Sequence, residues 1–337
     1  MSRISHDSRK GGLLSLFFFA VGLAIVALSG RAYAQREDVP TLKYRAAFND
    51  FYEGKYEDAL SDFLSEGRGA IKTVQARWID SICYHTMAGE CYYHMGELSR
   101  ALSHYTSALE IYLAYPDWML QVKFPPSIIA ARPGLQKRIP WGQSQRGSQL
   151  GHFANSLLIS QGRINNNEQV KRGGVVKTAI LFPVNVQEIV RCTTLAMRRR
   201  TELLGPIAKH DSLTARLITT LSQRPGLPNH WSEAWIDVQL GLAFLAGGKI
   251  DKGKQLLQRS VSAAGQFDHP LTSTALFELG RLAFLRGDFQ AAGKLFREAS
   301  YSAVQLFDGG ILEESLRYGT LTHILSNRKT IYPPLGA

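Results

Sequence analysis

The chain has 337 residues, with 39 Lys or Arg against 28 Asp or Glu and a net charge of +11. The excess is uneven: from Trp118 to His230 there are 16 Lys or Arg and four acids, whereas the regions flanking that stretch, beyond a basic N-terminus, are net acidic. Three cysteines exclude a disulfide scaffold: Cys83 and Cys91 lie eight residues apart on one predicted helix, about 12 Å along its axis, beyond disulfide reach. Cys192 can pair with either only through tertiary proximity, and an odd count leaves at least one thiol free.

At the N-terminus, Arg3, Arg9 and Lys10 precede an apolar run from Leu13 to Leu28, and Ala32-Tyr33-Ala34 precede Gln35. A basic start, an apolar centre and small residues at the cut form the layout of a secretory signal, with cleavage expected after Ala34 and residues 1–34 removed. The rival reading is an uncleaved anchor, against which the apolar run stands at 16 residues where a full span takes about 20. Either way the bulk of the chain is expected outside the cytoplasm, periplasmic or associated with the cell envelope.

Residues 35–116 carry two helix-turn-helix patterns. In the first, Gly54, Tyr56, Ala59 and Phe63 follow an apolar helix; in the second, Gly96, Leu98, Ala101 and Tyr105 follow the helix that holds Gly89. The turn glycine permits positive φ without steric cost, and the small Ala lets two helices approach where the aromatic fills the remaining space. Gly67-Arg68-Gly69-Ala70-Ile71-Lys72-Thr73 lacks the glycine before the lysine and the preceding strand of a phosphate loop, so it reads as a connection between units.

Residues 117–183 break the helical rhythm with Pro125-Pro126, Pro133-Gly134, Pro140 and a Gly, Ser and Gln-rich stretch. Phe153 to Ile164 and Val175 to Val186 are apolar and partly β-branched, and predict a β-hairpin whose polar tip carries Lys171 and Arg172. Helical period returns at Val186 to Leu204, where Val186, Ile189, Val190, Ala196 and Met197 share a stripe and Arg198 and Arg199 are expected to face away from it. Gly205-Pro206 ends that helix, and Asp211 or Ser212 caps a shorter one. This pair, within residues 184–230, is expected to bridge two arrays.

Residues 231–326 repeat the earlier pattern. A weaker copy has Gly241, Gly248, Ile250 and Leu257, with Gly253 where the others place Ala; a strong copy has Gly280, Gly287, Phe289, Ala292, Phe296 and Ala299. Ile311 to Leu325 predicts the first helix of a further unit without its partner, and residues 327–337 form a tail that ends in a poor helix stretch.

Spacing and residue type in these copies resemble the tetratricopeptide repeat family, whose usual period is 34 residues; here Gly96 follows Gly54 by 42. The resemblance covers residues 41–115 and 232–325. It implies a mainly α fold, a helix-turn-helix solenoid in two arrays, interrupted by an irregular insertion with a β-hairpin. One helix pair cannot bury both apolar faces, so neighbours must stack and build an extended binding surface. The implied function is a non-enzymatic scaffold for a protein or peptide partner.

In proteins with this repeat the first helix of each pair lines the concave face. Carried onto the matching positions, that directs Phe48, Phe51 and Tyr52 of the first copy, Glu90, Tyr93 and His94 of the second, and Arg281 and Phe284 of the fourth toward a groove. Phe51 and Phe284 fit inter-repeat packing equally well, whereas the Tyr93 hydroxyl and the Arg281 guanidinium keep a polar outlet. An alternative partner surface is the basic middle, with Lys171, Arg172, Arg198, Arg199 and Arg200 docking to an anionic lipid, polysaccharide or acidic protein of the cell envelope. Against it stands an ordinary solvated face, with Arg198 and Glu202 as an i, i+4 pair. Nucleic acid would need aromatics interleaved with these charges, and only Trp141 and Phe153 offer that. Serine nucleophile elbows, His-Glu-x-x-His helices and a clear acid pair for glycoside hydrolysis are absent, no cofactor is implied, and Cys83, Cys91 and His94 are too spread along one helix to hold one metal ion. Oligomeric state stays open.

Overall fold

The computed structural model describes residues 38–72, 77–154, 156–160, 170–174 and 181–331. The expected leader at residues 1–34 and the last six residues of the tail lie outside the described residues, as does most of the expected hairpin tip. From Val39 on, the chain is one unit.

Eleven α-helices stack in sequence among the described residues: α1 Leu42–Tyr52, α2 Tyr56–Gly67, α3 Ser81–His94, α4 Leu98–Ala114, α5 Val186–Leu204, α6 Ser212–Ser222, α7 Glu233–Ala246, α8 Ile250–Ala263, α9 Thr272–Leu285, α10 Phe289–Leu306 and α11 Gly309–Ile331. Four helix pairs, α1–α2, α3–α4, α7–α8 and α9–α10, pack directly on each other, α5 and α6 pack mainly on α3, α4 and α7 rather than on one another, and α11 stands as a final single helix of the solenoid that the sequence predicts. The expected turn glycines Gly54, Gly96, Gly248 and Gly287 all have φ between 74° and 81°, a conformation that side chains with a Cβ adopt at a cost. A Cβ on Gly89 would lie 2.6 Å from the Tyr105 ring, and one on Gly280 2.7 Å from the Phe296 ring. Glycine therefore sets the helix separation in both strong copies. The weak copy departs from the pattern for a steric reason: a Cβ on Gly253 would meet Leu245 at 2.6 Å and the Gly241 carbonyl at 2.9 Å. With glycine on both helices, α7 and α8 pack more closely than alanine would allow.

Local capping starts several of these helices. Thr41, Asn185, Asp211 and Asp288 each accept a backbone N–H from the first turn of α1, α5, α6 and α10, Asp211 from Thr214 at 2.7 Å. One continuous core runs from Val39 to Leu279 and contains the fully buried Trp78, Trp118 and Trp235; a second, around Phe277, Phe296 and Ile311, seals the last pair against α11.

The bridging pair α5–α6 packs between α3–α4 and α7, so both arrays belong to one stack. The insertion runs as a strap over the second-helix side of the solenoid. Strand β1 (Ile129–Ala130) pairs antiparallel with β2 (Gln149–His152), and β2 pairs parallel with β5 (Phe267–Asp268) in the turn between α8 and α9. Trp141 Nε1 donates to Ser300 Oγ at 2.9 Å, Gln145 N to Glu298 Oε1 at 2.8 Å and Lys137 N to Gln305 Oε1 at 2.9 Å, all on α10. Phe124 and Phe153, at the two ends of the strap, pack edge-on to Trp231. The predicted hairpin is present as β3 (Leu157–Ser160) against β4 (Leu181–Val184), antiparallel with Leu157 opposite Val184.

The structure corrects the reading of the three arginines on α5. Arg198 and Arg200 are each 8 % exposed, and Arg199 is half-buried. A stripe argument assumes one buried face, whereas a helix inside a solenoid has neighbours on both sides, and α5 is buried on nearly every face. Lys171 and Arg172, by contrast, are exposed.

Candidate functional site

Five first helices, α1, α3, α5, α9 and α11, converge on one cavity of about 430 Å³. Phe48, Tyr52, Glu90, Tyr93, His94 and Arg281 all line it, together with Phe51. Phe284 does not; it packs against Phe289 and Tyr318. Where the first and last helices approach, the Tyr52 ring lies against Gly309 at the start of α11, where a Cβ would fall 2.7 Å from Tyr52 Oη.

One wall is aromatic. Tyr56 stacks on His94 with ring centroids 4.9 Å apart and planes 11° off parallel, and Phe51 meets His94 edge-on at 5.4 Å. Burial lowers the pKa of His94 and so favours the neutral ring. Tyr93 carries the Arg199 guanidinium 4.6 Å above its ring and donates to Glu202 Oε1 at 2.9 Å. Burial, then that bond to Glu202, raises the pKa of its hydroxyl.

The opposite wall is a lattice of opposed charges. Arg198 Nε donates to Glu278 Oε1 at 2.7 Å and its Nη2 to Glu314 Oε2 at 2.6 Å. Arg199 reaches Glu90 at 3.1 Å, Glu202 at 3.0 Å and Glu314 at 3.2 Å. Glu90 is 4 % exposed and also accepts from Tyr105. Burial by itself would raise the Glu314 carboxyl, but the Arg198 and Arg199 guanidiniums outweigh it and hold the group below its ordinary value. Arg281 pairs with Glu278 at 3.1 Å, and Arg191 pairs with Glu188 at 2.7 Å while lying over the Phe48 ring. Asp308, buried at the entry to α11, is raised by burial and accepts from Ile311 N and Ser273 Oγ.

This lattice and its neighbouring ion pairs take up part of the charge asymmetry seen in the sequence. The basic middle supplies Arg198, Arg199, Arg200, Arg224 and Arg146, and acids chiefly of the repeats and the neighbouring turns receive them: Glu90, Glu278 and Glu314, then Asp211, Asp237 and Asp268. Sequence reasoning missed Arg191, Arg198 and Arg199 as cavity residues. The available signal was their position on the first helix of a pair; without a small-residue signature, α5 offered no register by which to place them.

Of the carboxylates along the cavity, Glu90 and Glu314 are held by guanidiniums, whereas buried Asp308 accepts from Ile311 N and Ser273 Oγ. The lining offers flat aromatic faces, fixed charges of both signs, and a volume within the range of about 300–1,000 Å³ common for ligand pockets.

Residues 232–300 match the family model described as tetratricopeptide repeat. Among solved structures, twenty chains match; one is the crystal structure of Rap protein complexed with competence and sporulation factor, at 12 % identity and a TM-score of 0.40, over 85 % of this chain and 63 % of that one. The chain thus spans less than two thirds of that protein's length. The comparison with curated proteins finds no match. Residues 232–300 thus carry tetratricopeptide repeats, and turn glycines at positive φ with glycines seated under aromatic rings repeat the same local pattern in helix pairs outside that match.

Proposed function

We propose that the chain is an exported, non-enzymatic scaffold that captures a short extended peptide segment of a protein partner in the cavity between α1, α3, α5, α9 and α11. The observation that carries this reading is the convergence of Phe48, Tyr52, Glu90, Tyr93, His94 and Arg281, from helices far apart in sequence, on one cavity. Its volume suits a few residues of extended chain rather than a folded domain. Aromatic faces bury apolar side chains, and the outward edges of Arg281 and Tyr93 supply hydrogen bonds that fix direction. Because the cavity carries matched charges, affinity rests on burial and local hydrogen bonds, and salt should change it little.

The test is photocrosslinking in producing cells with a photoreactive residue at Tyr93, followed by titration of the crosslinked segment, as a synthetic peptide, against the full chain. Tight binding that Arg281→Ala weakens supports the reading; a crosslinked segment that binds the variant equally well refutes it. Export is checked separately: the mature N-terminus should be Gln35, and a chain recovered in the cytoplasm with Met1 intact would overturn that part.

A further inference from the structure

Three helix pairs repeat one contact between their two helices. Gly89 on α3, Gly241 on α7 and Gly280 on α9 are each covered by the side chain 16 positions further on, Tyr105, Leu257 and Phe296, so that a Cβ on them would lie 2.6, 3.1 and 2.7 Å away. Gly319 holds the same register on α11, 39 residues after Gly280. There a Cβ meets nothing within 4 Å among the described residues. Helix α11 does not turn back to cover it, because Ser326, in the register of the turn glycine Gly287, is still helical. The face of α11 around Gly319 lines a cavity of about 590 Å³ shared with α10.

Apolar side chains and cations share this cavity. Phe289 of α10, Leu316 of α11 and Trp141 of the strap give it apolar surface, and Leu316 and Trp141 are 43 % and 41 % exposed. Lys294 and Arg297, both exposed on α10, also line it, and its lining holds no Asp or Glu. A third feature points to an occupant. Ser315 is 1 % exposed and lines the cavity, yet its Oγ has no hydrogen-bond partner among the described residues. Buried polar groups are ordinarily paired, so this hydroxyl is one that an incoming polar side chain can satisfy.

We propose that this cavity is a docking groove for an amphipathic α-helix of a partner protein, which sets an aromatic or leucine side chain on Gly319 and acidic side chains against Lys294 and Arg297. The register follows from the pairs that are filled. Their second helices carry a small residue four positions before the covering side chain, Ala101 before Tyr105, Gly253 before Leu257 and Ala292 before Phe296, and the partner helix needs the same. Charge selects among helices of that shape. Two exposed cations with no acid beside them attract an acidic helix and disfavour a basic one. The chain itself contains a helix of this kind: α2 has Ala59 four before Phe63, the acids Glu57, Asp58, Asp62 and Glu66, and no Lys or Arg. In the folded chain α2 packs on α1 and α3, so it does not fill the groove. The groove shares no lining residue with the cavity between α1, α3, α5, α9 and α11, and the inference does not rest on what that cavity binds.

The test titrates the full chain with a fluorescent synthetic peptide of residues 56–67, held helical by a staple on the face opposite Phe63. Saturable binding is expected, weakened about tenfold or more when the peptide carries Phe63→Ala. Gly319→Leu, which fills the seat, and Lys294→Glu with Arg297→Glu should each weaken it as much, and added salt should weaken it several-fold. Arg281→Ala, in the other cavity, should leave it unchanged. Gly319→Ala reports on the seat itself: with nothing to clash with and a higher helix propensity, it should melt about 2 °C above the parent chain. A peptide that does not saturate, or that binds Gly319→Leu as well as the parent chain, overturns the proposal. So does a Gly319→Ala chain that melts lower, since its seat is then already filled. Light scattering and a chain truncated after Ile331 separate the rival occupants. A dimer broken by Gly319→Leu assigns the groove to a second copy, binding seen only after truncation assigns it to the chain's own last residues, and either result overturns the proposal.

Discussion

Arg198 and Glu278, 80 residues apart in sequence, meet inside the protein with Nε 2.7 Å from Oε1 and both side chains 6 % exposed. Their contact joins the bridging helix α5 to the C-terminal helix α9, and Glu314 of α11 completes it at 2.6 Å. A charged run that reads as an outward face is therefore an internal bond between repeats.

Removing this cation should be severe. Arg198→Ala leaves Glu278 without its closest partner and Glu314 with a weaker one, both nearly buried, a loss of about 3–5 kcal/mol. Urea denaturation should show the midpoint falling while 0.5 M salt restores little of it. Reversing Arg198, Arg199 and Arg200 to glutamate should unfold the chain, where a surface-docking role would predict a folded chain that has lost attachment.

The glycines seated under aromatic rings give a second test. Gly280→Ala improves intrinsic helix propensity by about 1 kcal/mol, yet its Cβ would fall 2.7 Å from the fully buried Phe296 ring. Overpacking should win by about 1–3 kcal/mol. Thermal melting of Gly280→Ala and Gly89→Ala should show destabilisation, whereas a gain in either would mean the helices can part freely.

Two buried groups titrate with opposite consequences over one range of pH. Burial depresses His269 to about 4, with Nε2 set to donate to the Ser260 carbonyl and Nδ1 accepting from Leu271 N, an arrangement that requires the neutral ring. The unfolded chain takes up a proton below about 6.5 that the folded chain refuses, so this group's contribution falls as pH drops from 6.5 toward 4. Burial raises Asp80 to about 7, and it accepts from Ile71 N. There the folded chain holds a proton that the unfolded chain releases above about 4, so its contribution falls as pH rises from 4 toward 7. The two slopes oppose each other. Asp80→Asn should uncover stability that rises by about 3 kcal/mol between pH 4 and 6.5, and His269→Asn the reverse, both read by urea unfolding at stepped pH.

The strap should be separable from the helices. Arg146 joins Asp268 in the α8–α9 turn and lies 3.5 Å from Glu298 on α10. Arg146→Ala with Trp141→Ala should expose residues 132–148 to limited proteolysis while the helix array keeps its circular-dichroism melting transition. Loss of that transition would make the strap integral to the array.

Within the cavity, Tyr93→Ala and Arg281→Ala should each weaken the crosslinked peptide by about tenfold or more, as truncation of a central anchor does. Calorimetry in 50 and 500 mM salt should give closely similar affinities; a steep fall with salt would instead favour charge-driven docking.

Local chemistry determined the helical part of this protein from sequence alone. A turn glycine, an alanine and an aromatic at fixed spacing act within about 20 residues, so Gly54, Gly96, Gly248 and Gly287 mark their turns without knowledge of any distant contact. The same logic places Phe48, Tyr93 and Arg281 on the first helices of their pairs. Tertiary structure alone decided which long-range partners meet: that α5 is enclosed on both sides, that Arg198 and Arg199 find Glu278, Glu90 and Glu314, that the strap lies along α10, and that Tyr52 lies against Gly309. Periodicity reports which side of a helix is apolar; it cannot report a second neighbour, nor a charge neutralised by an acid many turns away.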